Sequence, residues 1–315
     1  MQIPAKFAAM NTRLPKSSQR TRVIGYACGL AAGAIWGTTG PLSTALYAEG
    51  AAITAVGFWR VLLAVVGLTI YGFFARDLFR IDRRGIWLIM VLGGALVALF
   101  EVPFQYAIAG LGVAPAVALL YTAPVTVAIA GHFILREKLT PVRIALAAGV
   151  MIGVWLTVNG EAADQSQPTA SRLAGIIGGL IAAVSYAGSA ILARYIVPRY
   201  GSKKMLYWEL VGGLIFLAIL LPMFGQTPKA PLDTAGWAYV AALGIGAVVA
   251  ANFLFFAAMK RIDAAPASVA ASVEPLVGAL LSLLLFNQQL RWFGWVGLLM
   301  VIGGVAGGYA EEAEA

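Results

Sequence analysis

Residues 113–125 read VAPAVALLYTAPV, and residues 264–276 read AAPASVAASVEPL. The two stretches share Ala-Pro-Ala at an offset of 151 (Ala114-Pro115-Ala116 and Ala265-Pro266-Ala267). A second proline follows nine residues later in each, Pro124 and Pro275. Leu139 with Leu290 and Gly153 with Gly304 keep the same offset. Earlier in the chain, Phe58-Trp59-Arg60 parallels Tyr207-Trp208-Glu209 at an offset of 149, and Trp36 parallels Tyr186. The chain is two copies of one unit.

Each copy is built from long apolar runs. Of 315 residues, 61% are hydrophobic and 11% charged, and mean hydropathy is +0.86. Soluble domains carry about 25% charged residues. A soluble fold of this length has too little interior to hide so much apolar surface, whereas lipid accepts it. Ten runs are long enough to span a bilayer: Val23–Tyr47, Ala52–Phe74, Gly85–Ala109, Val113–Phe133, Pro141–Val158, Leu173–Val197, Met205–Phe224, Gly236–Met259, Ala264–Phe286 and Trp292–Tyr309. The expected class is an all-α integral membrane protein. Residues 1–22 form a tail, 23–158 a first five-helix repeat, 159–172 an external linker, 173–309 a second repeat and 310–315 a C-terminal tail. Five spans per repeat is an odd number, so the copies are inserted in opposite senses. The run after the basic N-terminal tail is too long for a signal-peptide core and lacks a clear cleavage site, which makes it a retained first span.

The formal net charge of +8 and pI of about 9.7 do not mark a nucleic-acid binder, because the charges sit in short clusters between apolar runs. Eighteen of the 22 Lys and Arg fall in segments on one side of the ten spans. Arg172, Lys229 and Arg291 fall on the other, and Arg60 lies within a span. The positive-inside rule then places both termini in the cytoplasm, for a protein of a bacterial inner membrane.

Inverted repeats are a transporter architecture, with the substrate site near mid-bilayer where the copies meet. Charges inside spans are costly, about 2.5–3.5 kcal/mol at the centre on insertion scales, and face cavities or partners. Four stand out. Arg60 and Glu101 both lie about 12 Å from the outer end of their spans at about 1.5 Å of rise per residue, and are expected to pair and to act in gating. Glu274 lies near the midplane beside Pro275, whose missing N–H frees a carbonyl. It suits a substrate amine or a coupling proton. Glu209 lies near the cytoplasmic end of its span and reads as an interfacial or packing carboxylate. Pro115, Pro124, Pro266 and Pro275 are expected helix breaks. His132 is expected at the interface.

Cys28 reads as a small buried hydrophobe, and no Cys/His spacing suggests a metal; no cofactor is expected. An intramembrane enzyme would need a nucleophile and a base, and Ser189 has no histidine near it in sequence. Small residues recur in span 5 (Gly149, Gly153) and span 10 (Gly303-Gly304, Gly307-Gly308). They permit close helix approach within the chain or between two copies of a homodimer through these spans, and spacing leaves both open.

Ile35-Trp36-Gly37, Phe58-Trp59-Arg60, Ala114-Pro115, Tyr121 to Pro124, Arg136-Glu137-Lys138-Leu139-Thr140, Ala265-Pro266 and Glu274-Pro275 follow one another in an order and spacing that resemble the drug/metabolite transporter superfamily. The likeness is to its ten-span group with two EamA-type domains, and it covers residues 23–308. One departure is that Glu137 has Gln288, not an acid, at its repeat mate. The resemblance implies ten helices, with spans 1, 3, 4, 6, 8 and 9 around a central cavity, and export of small solutes, amino acids among them. Under that layout Trp36, Tyr121, Tyr186, Asn252 and Phe256 fall in inner spans. With Glu101 and Glu274 they form the expected substrate-binding set. An aromatic cavity with few polar groups suits a large neutral or aromatic amino acid. A channel-like facilitator, or an exporter of sugars, nucleotide precursors or cationic drugs, remains the alternative.

Overall fold

The computed structural model describes residues 19–130, 132–133, 140–160, 170–230 and 233–314. Residues 1–18, Arg136 to Leu139 and most of the 159–172 linker lie outside the described residues, and with them Glu137 and the Leu139–Leu290 match.

The described residues fold into ten helical spans. These are α1 (Gln19–Gly37 continued by Thr39–Ala48), α2 (Ile53–Phe74), α3 (Arg83–Leu111), α4 (Val113–Ala130), α5 (Pro141–Asn159), α6 (Arg172–Tyr200), α7 (Ser202–Met223), α8 (Thr234–Met259), α9 (Ala264–Phe286) and α10 (Trp292–Glu314). Nine are long enough and apolar enough to cross a membrane. The tenth, α1, opens with Gln19, Arg20 and Arg22 and is cut at Thr38. The last residues depart from the expected tail. Helix α10 continues past Tyr309, because Glu311 accepts hydrogen bonds from Thr140 and from Arg143 Nε (3.0 Å to Oε2) at the start of α5.

Two connections are a single glycine. Gly112 turns α3 into α4 and Gly201 turns α6 into α7, each at φ +81°, a conformation that costs glycine nothing and other residues a steric clash.

The packing fixes the sense of the repeats. Gly160 lies against Gly294, Gly153 against Gly297, Val150 against Gly304 and Leu146 against Gly307. Numbers rise on α10 as they fall on α5, so these two repeat mates are antiparallel and the halves are inverted. The interface is repeated across the halves. A Cβ added to Gly25 in α1 would lie 2.8 Å from Ile262, just past the end of α8, and one added to Gly175 in α6 would lie 2.8 Å from Leu111 at the end of α3. Gly29 meets Ala270 at 2.9 Å and its counterpart Gly179 meets Leu119 at 2.7 Å. Each partner is the mate of the other at the sequence offsets of 150 and 151. Small residues let backbones approach closely where lipid offers no hydrophobic drive to associate. Most of the span 5 and span 10 glycines are used in this way inside the chain, while Gly149, Gly303 and Gly308 face open space.

Apolar clusters fill the contacts between halves. Val61 and Leu68 of α2 pack with Val97 of α3, Leu210 and Leu217 of α7 and Val248 of α8. On α6, Leu173, Ile177, Leu180, Ile181 and Val184 are exposed, forming a lipid-facing stripe. Tyr186 lies instead on the opposite face, in line with buried Gly179, Ala182 and Ala183, yet 51% of its surface is accessible. It therefore keeps accessible surface on the side of α6 that packs against the rest of the bundle.

Candidate functional site

Three helices are interrupted, each two or three residues before a proline. In α1 the turn is at Thr38, before Pro41. In α4 it is at Tyr121-Thr122, before Pro124, and in α9 at Ser272-Val273, before Pro275. Proline cannot donate to the carbonyl four residues back, so the ladder opens there. Side chains take over part of the bonding. Thr38 Oγ1 donates to Ile35 O (2.7 Å), Thr122 Oγ1 to Leu119 O (2.8 Å) and Ser272 Oγ to Ser268 O (2.9 Å). Pro115 and Pro266, expected as breaks, lie instead in the first turns of α4 and α9. There a missing N–H removes no helical bond, so they start helices and do not break them. The α1 break was not foreseen, although Pro41 gives the same signal as Pro124.

The three interruptions converge. Tyr121 Oη, at the break in α4, donates to Glu274 Oε2, at the break in α9, over 3.1 Å. Gly37, at the break in α1, lies against the Glu274 carbonyl, where a Cβ would come within 2.8 Å. Glu274 opens the second half of α9, where a carboxylate is favoured by the helix dipole. Tyr186 is close enough to interact electrostatically with Glu274, Glu209 and Tyr309, and Arg60 with Glu274. Tyr309 of α10 escaped the sequence reading. Its mate is Val158, so the repeat gave no sign of it, and α10 is an outer span.

Arg60 and Glu101 lie together. Arg60 Nη1 is 3.4 Å from Glu101 Oε2, with side chains 7% and 4% accessible. The pair is loose, because Arg60 Nε and Nη1 and Glu101 Oε2 make no aligned hydrogen bond. One turn beyond Glu101, Gln105 is fully buried and accepts from Tyr47 Oη at 2.6 Å. Tyr47 is itself within electrostatic range of Arg60. Neither Tyr47 nor Gln105 was marked by sequence, since an uncharged residue in a span carries no obvious penalty.

The remaining candidates sit around this core without joining it. Trp36 packs on Phe255 with centroids 5.3 Å apart, and Phe256 tilts against Phe253 at 6.4 Å. Asn252 turns its amide back to Val248 O on its own helix, at 2.7 Å. Gln288 accepts the Val113 N–H at 3.1 Å and so caps the start of α4. His132 is exposed, its ring 5.2 Å from Phe133. Glu209, read as an interfacial or packing carboxylate, is a packing one. Its Cβ lies against Gly93 of α3, and Oε2 is sealed with no hydrogen-bond partner among the described residues. Seven residues past the start of α7, Glu209 already lies against α3, which packs along that end.

Residues 23–159 and 173–308 both match the EamA-like transporter family. The chain belongs to the EamA-like transporter family. The two matched segments coincide with the two halves of the bundle, and the family is part of the drug/metabolite transporter superfamily. Among relatives of this EamA-family transporter, the uncharacterized transporter YwfM of Bacillus subtilis (strain 168) is 24% identical over 277 residues, covering 87% of this chain and 90% of that protein. The uncharacterized transporter YetK of the same strain is 24% identical over 233 residues, covering 71% and 68%. A solved structure titled "Crystal structure of protein" covers 93% of this chain and 100% of its own with a TM-score of 0.65 at 20% identity, a likeness of fold.

One asymmetry breaks the repeat. Helix α2 packs along α3 where Arg60 meets Glu101, and Gly57 approaches Val102 there. The mate pair, α7 and α8, keep their backbones apart. Lys203 Nζ lies in the gap between them, 4.7 Å from the Phe253 ring and hydrogen-bonded at 2.5 Å to Tyr71 Oη of α2.

Proposed function

We propose that this EamA-family transporter is a secondary exporter of small metabolites, large neutral or aromatic amino acids first among them, working by alternating access. The observation that carries the reading is the Tyr121–Glu274 junction at the meeting point of three interrupted helices, beside a tyrosine that keeps accessible surface on the bundle-facing side of α6. A carboxylate there meets a substrate amine, the carbonyls freed by proline add acceptors, and Trp36, Tyr121 and Tyr186 supply apolar surface for a side chain. Inverted five-helix units, 23–158 and 173–309, give two related conformations of similar energy. The contact of α2 with α3 and the gap between α7 and α8 support assignment of this conformation to a state closed at the Arg60 end and open at the end where α7 begins. The Lys and Arg distribution supports a bacterial inner-membrane location with both termini cytoplasmic, the open end then facing the cytoplasm. A homodimer through α5 and α10 would use Gly149, Gly303 and Gly308.

Purified protein in proteoliposomes, offered a panel of labelled amino acids, sugars and organic cations with and without a proton gradient, tests this. Saturable uptake and counterflow of leucine or phenylalanine, lost in Glu274→Gln, is the expected result. Counterflow of sugars alone would overturn the amino-acid assignment, and linear flux without counterflow would overturn the carrier mechanism.

A further inference from the structure

The repeat assigns Arg60 and Glu209 to equivalent places, and likewise Glu101 and Asn252. The packing obeys that assignment. Gly244 of α8 lies against the Arg60 backbone, with a Cβ 2.7 Å from its carbonyl, and Gly93 of α3, the mate of Gly244, lies against Glu209, with a Cβ 3.2 Å from the Glu209 Cβ. At one place the bundle holds a cation with its counter-ion. At the other it holds a half-buried carboxyl whose Oε2 is closed off and unbonded among the described residues, and whose equivalent partner, Asn252, bonds back to Val248 on its own helix.

With one oxygen closed off and unbonded, this half-buried carboxyl is harder to ionise than a fully hydrated one. Among the described residues no cation pairs with it. On α6 the titratable group that faces it is Tyr186. The facing part of α3 presents Met90, Gly93 and Gly94, and the one acid of the α3 span, Glu101, is held by Arg60. On α2, Tyr71 is taken by Lys203, and Lys204 is taken by Asp77 at 2.9 Å. The titratable side chain of α8, Tyr239, packs in the apolar cluster with Trp59.

We propose that Glu209 is a proton-binding switch for the α7–α8 gate. With the gap open, as here, it holds a proton. When α7 closes on α8 as α2 is closed on α3, the Asn252 amide reaches the carboxyl, donates to it and stabilises the ionised form. Proton loss at Glu209 and closure of this end of the bundle are then one event. The inference rests on the alternating-access reading but needs no transported solute for its test.

The single native cysteine makes a direct measurement practical. In a Cys28→Ser background, spin labels at Ser202→Cys and Lys260→Cys report the distance between the start of α7 and the end of α8 in lipid nanodiscs. From about pH 5 to about pH 9, the distribution is expected to shift from long to short. The shift is lost in Glu209→Gln, which keeps the long distance throughout, and the short state is depleted in Asn252→Ala. Infrared difference spectra over the same range are expected to show a carboxylic-acid C=O band that disappears in Glu209→Gln. A distribution that ignores pH, or a shift that survives in Glu209→Gln, would overturn the switch. Failure of amino-acid transport alone would not, since no solute is present.

Discussion

The half of the bundle around Arg60 and the half around Glu209 are built on one plan and hold opposite contents. In the first, two helices meet, a buried cation faces a buried anion at 3.4 Å, and Tyr47 and Gln105 complete a polar cluster. In the second, the helices stand apart, and a half-buried carboxyl lies against Gly93 with no counter-ion among the described residues. Duplication therefore supplied the frame, and divergence of four residues supplied the difference between ends. A transporter with chemically identical ends would have no means of answering one condition at one end and another at the other.

The largest expected effect comes from unpairing the first half. Arg60→Ala leaves Glu101 as an uncompensated buried charge, at a cost of about 3–5 kcal/mol, read as loss of folded protein in thermal unfolding in detergent. Adding Glu101→Ala should recover much of that loss. Strict additivity of the two substitutions would show that the groups do not act as a pair.

A second comparison tests how well the plan is kept. Gly25→Ala and Gly175→Ala crowd equivalent helix crossings, and each should cost about 1–3 kcal/mol by overpacking, measured by the same unfolding assay. Gly303→Ala, which meets open space, should cost nothing measurable. A large cost at one mate and none at the other would mean that the crossings have diverged as far as the polar sites have.

Glu209→Gln provides the contrast with Arg60→Ala. Because no counter-ion is abandoned, stability should change by no more than about 1 kcal/mol, in either direction, while the pH response described above disappears. Destabilisation as severe as that of Arg60→Ala would reveal a partner in the second half.

The smallest effect lies outside the spans. The Asp82 carboxyl is held below the ordinary aspartate range, first by the Tyr200 hydroxyl at 2.6 Å, then by the Gly85 N–H and by Arg199. A lowered value means that the stabilisation is fully present above the ordinary range near about pH 4 and is lost as pH falls through the lowered value. Hydrogen exchange at the α6 end should therefore speed up on acidification below that range. In Asp82→Asn the α6 end should be loosened at neutral pH and respond less to acid.

The ten spans, the inverted repeat and the Arg60–Glu101 contact were legible in the chain, and each for the same reason. Lipid forbids unbonded backbone and unpaired charge, so apolar length, odd span number and matched depth leave few arrangements. The glycine crossings followed the sequence offsets residue for residue. The prolines were legible only in part. Sequence alone did not say that α4 and α9 begin at Val113 and Ala264, which makes Pro115 and Pro266 helix starts, nor which prolines beyond a first turn interrupt their helix, since Pro41, Pro124 and Pro275 do and Pro103 does not.

What the sequence determined by itself is therefore the scaffold: how many helices, in what sense, and which charges share a depth. The tertiary structure alone decided the partners. Tyr121 reaches Glu274 across 153 positions of chain, Tyr309 enters from an outer helix, and one oxygen of the half-buried Glu209 is closed off because α3 packs along that end of α7. Depth along a helix is written in residue number, but the direction a side chain faces, and what stands opposite it, exists only once the helices are packed.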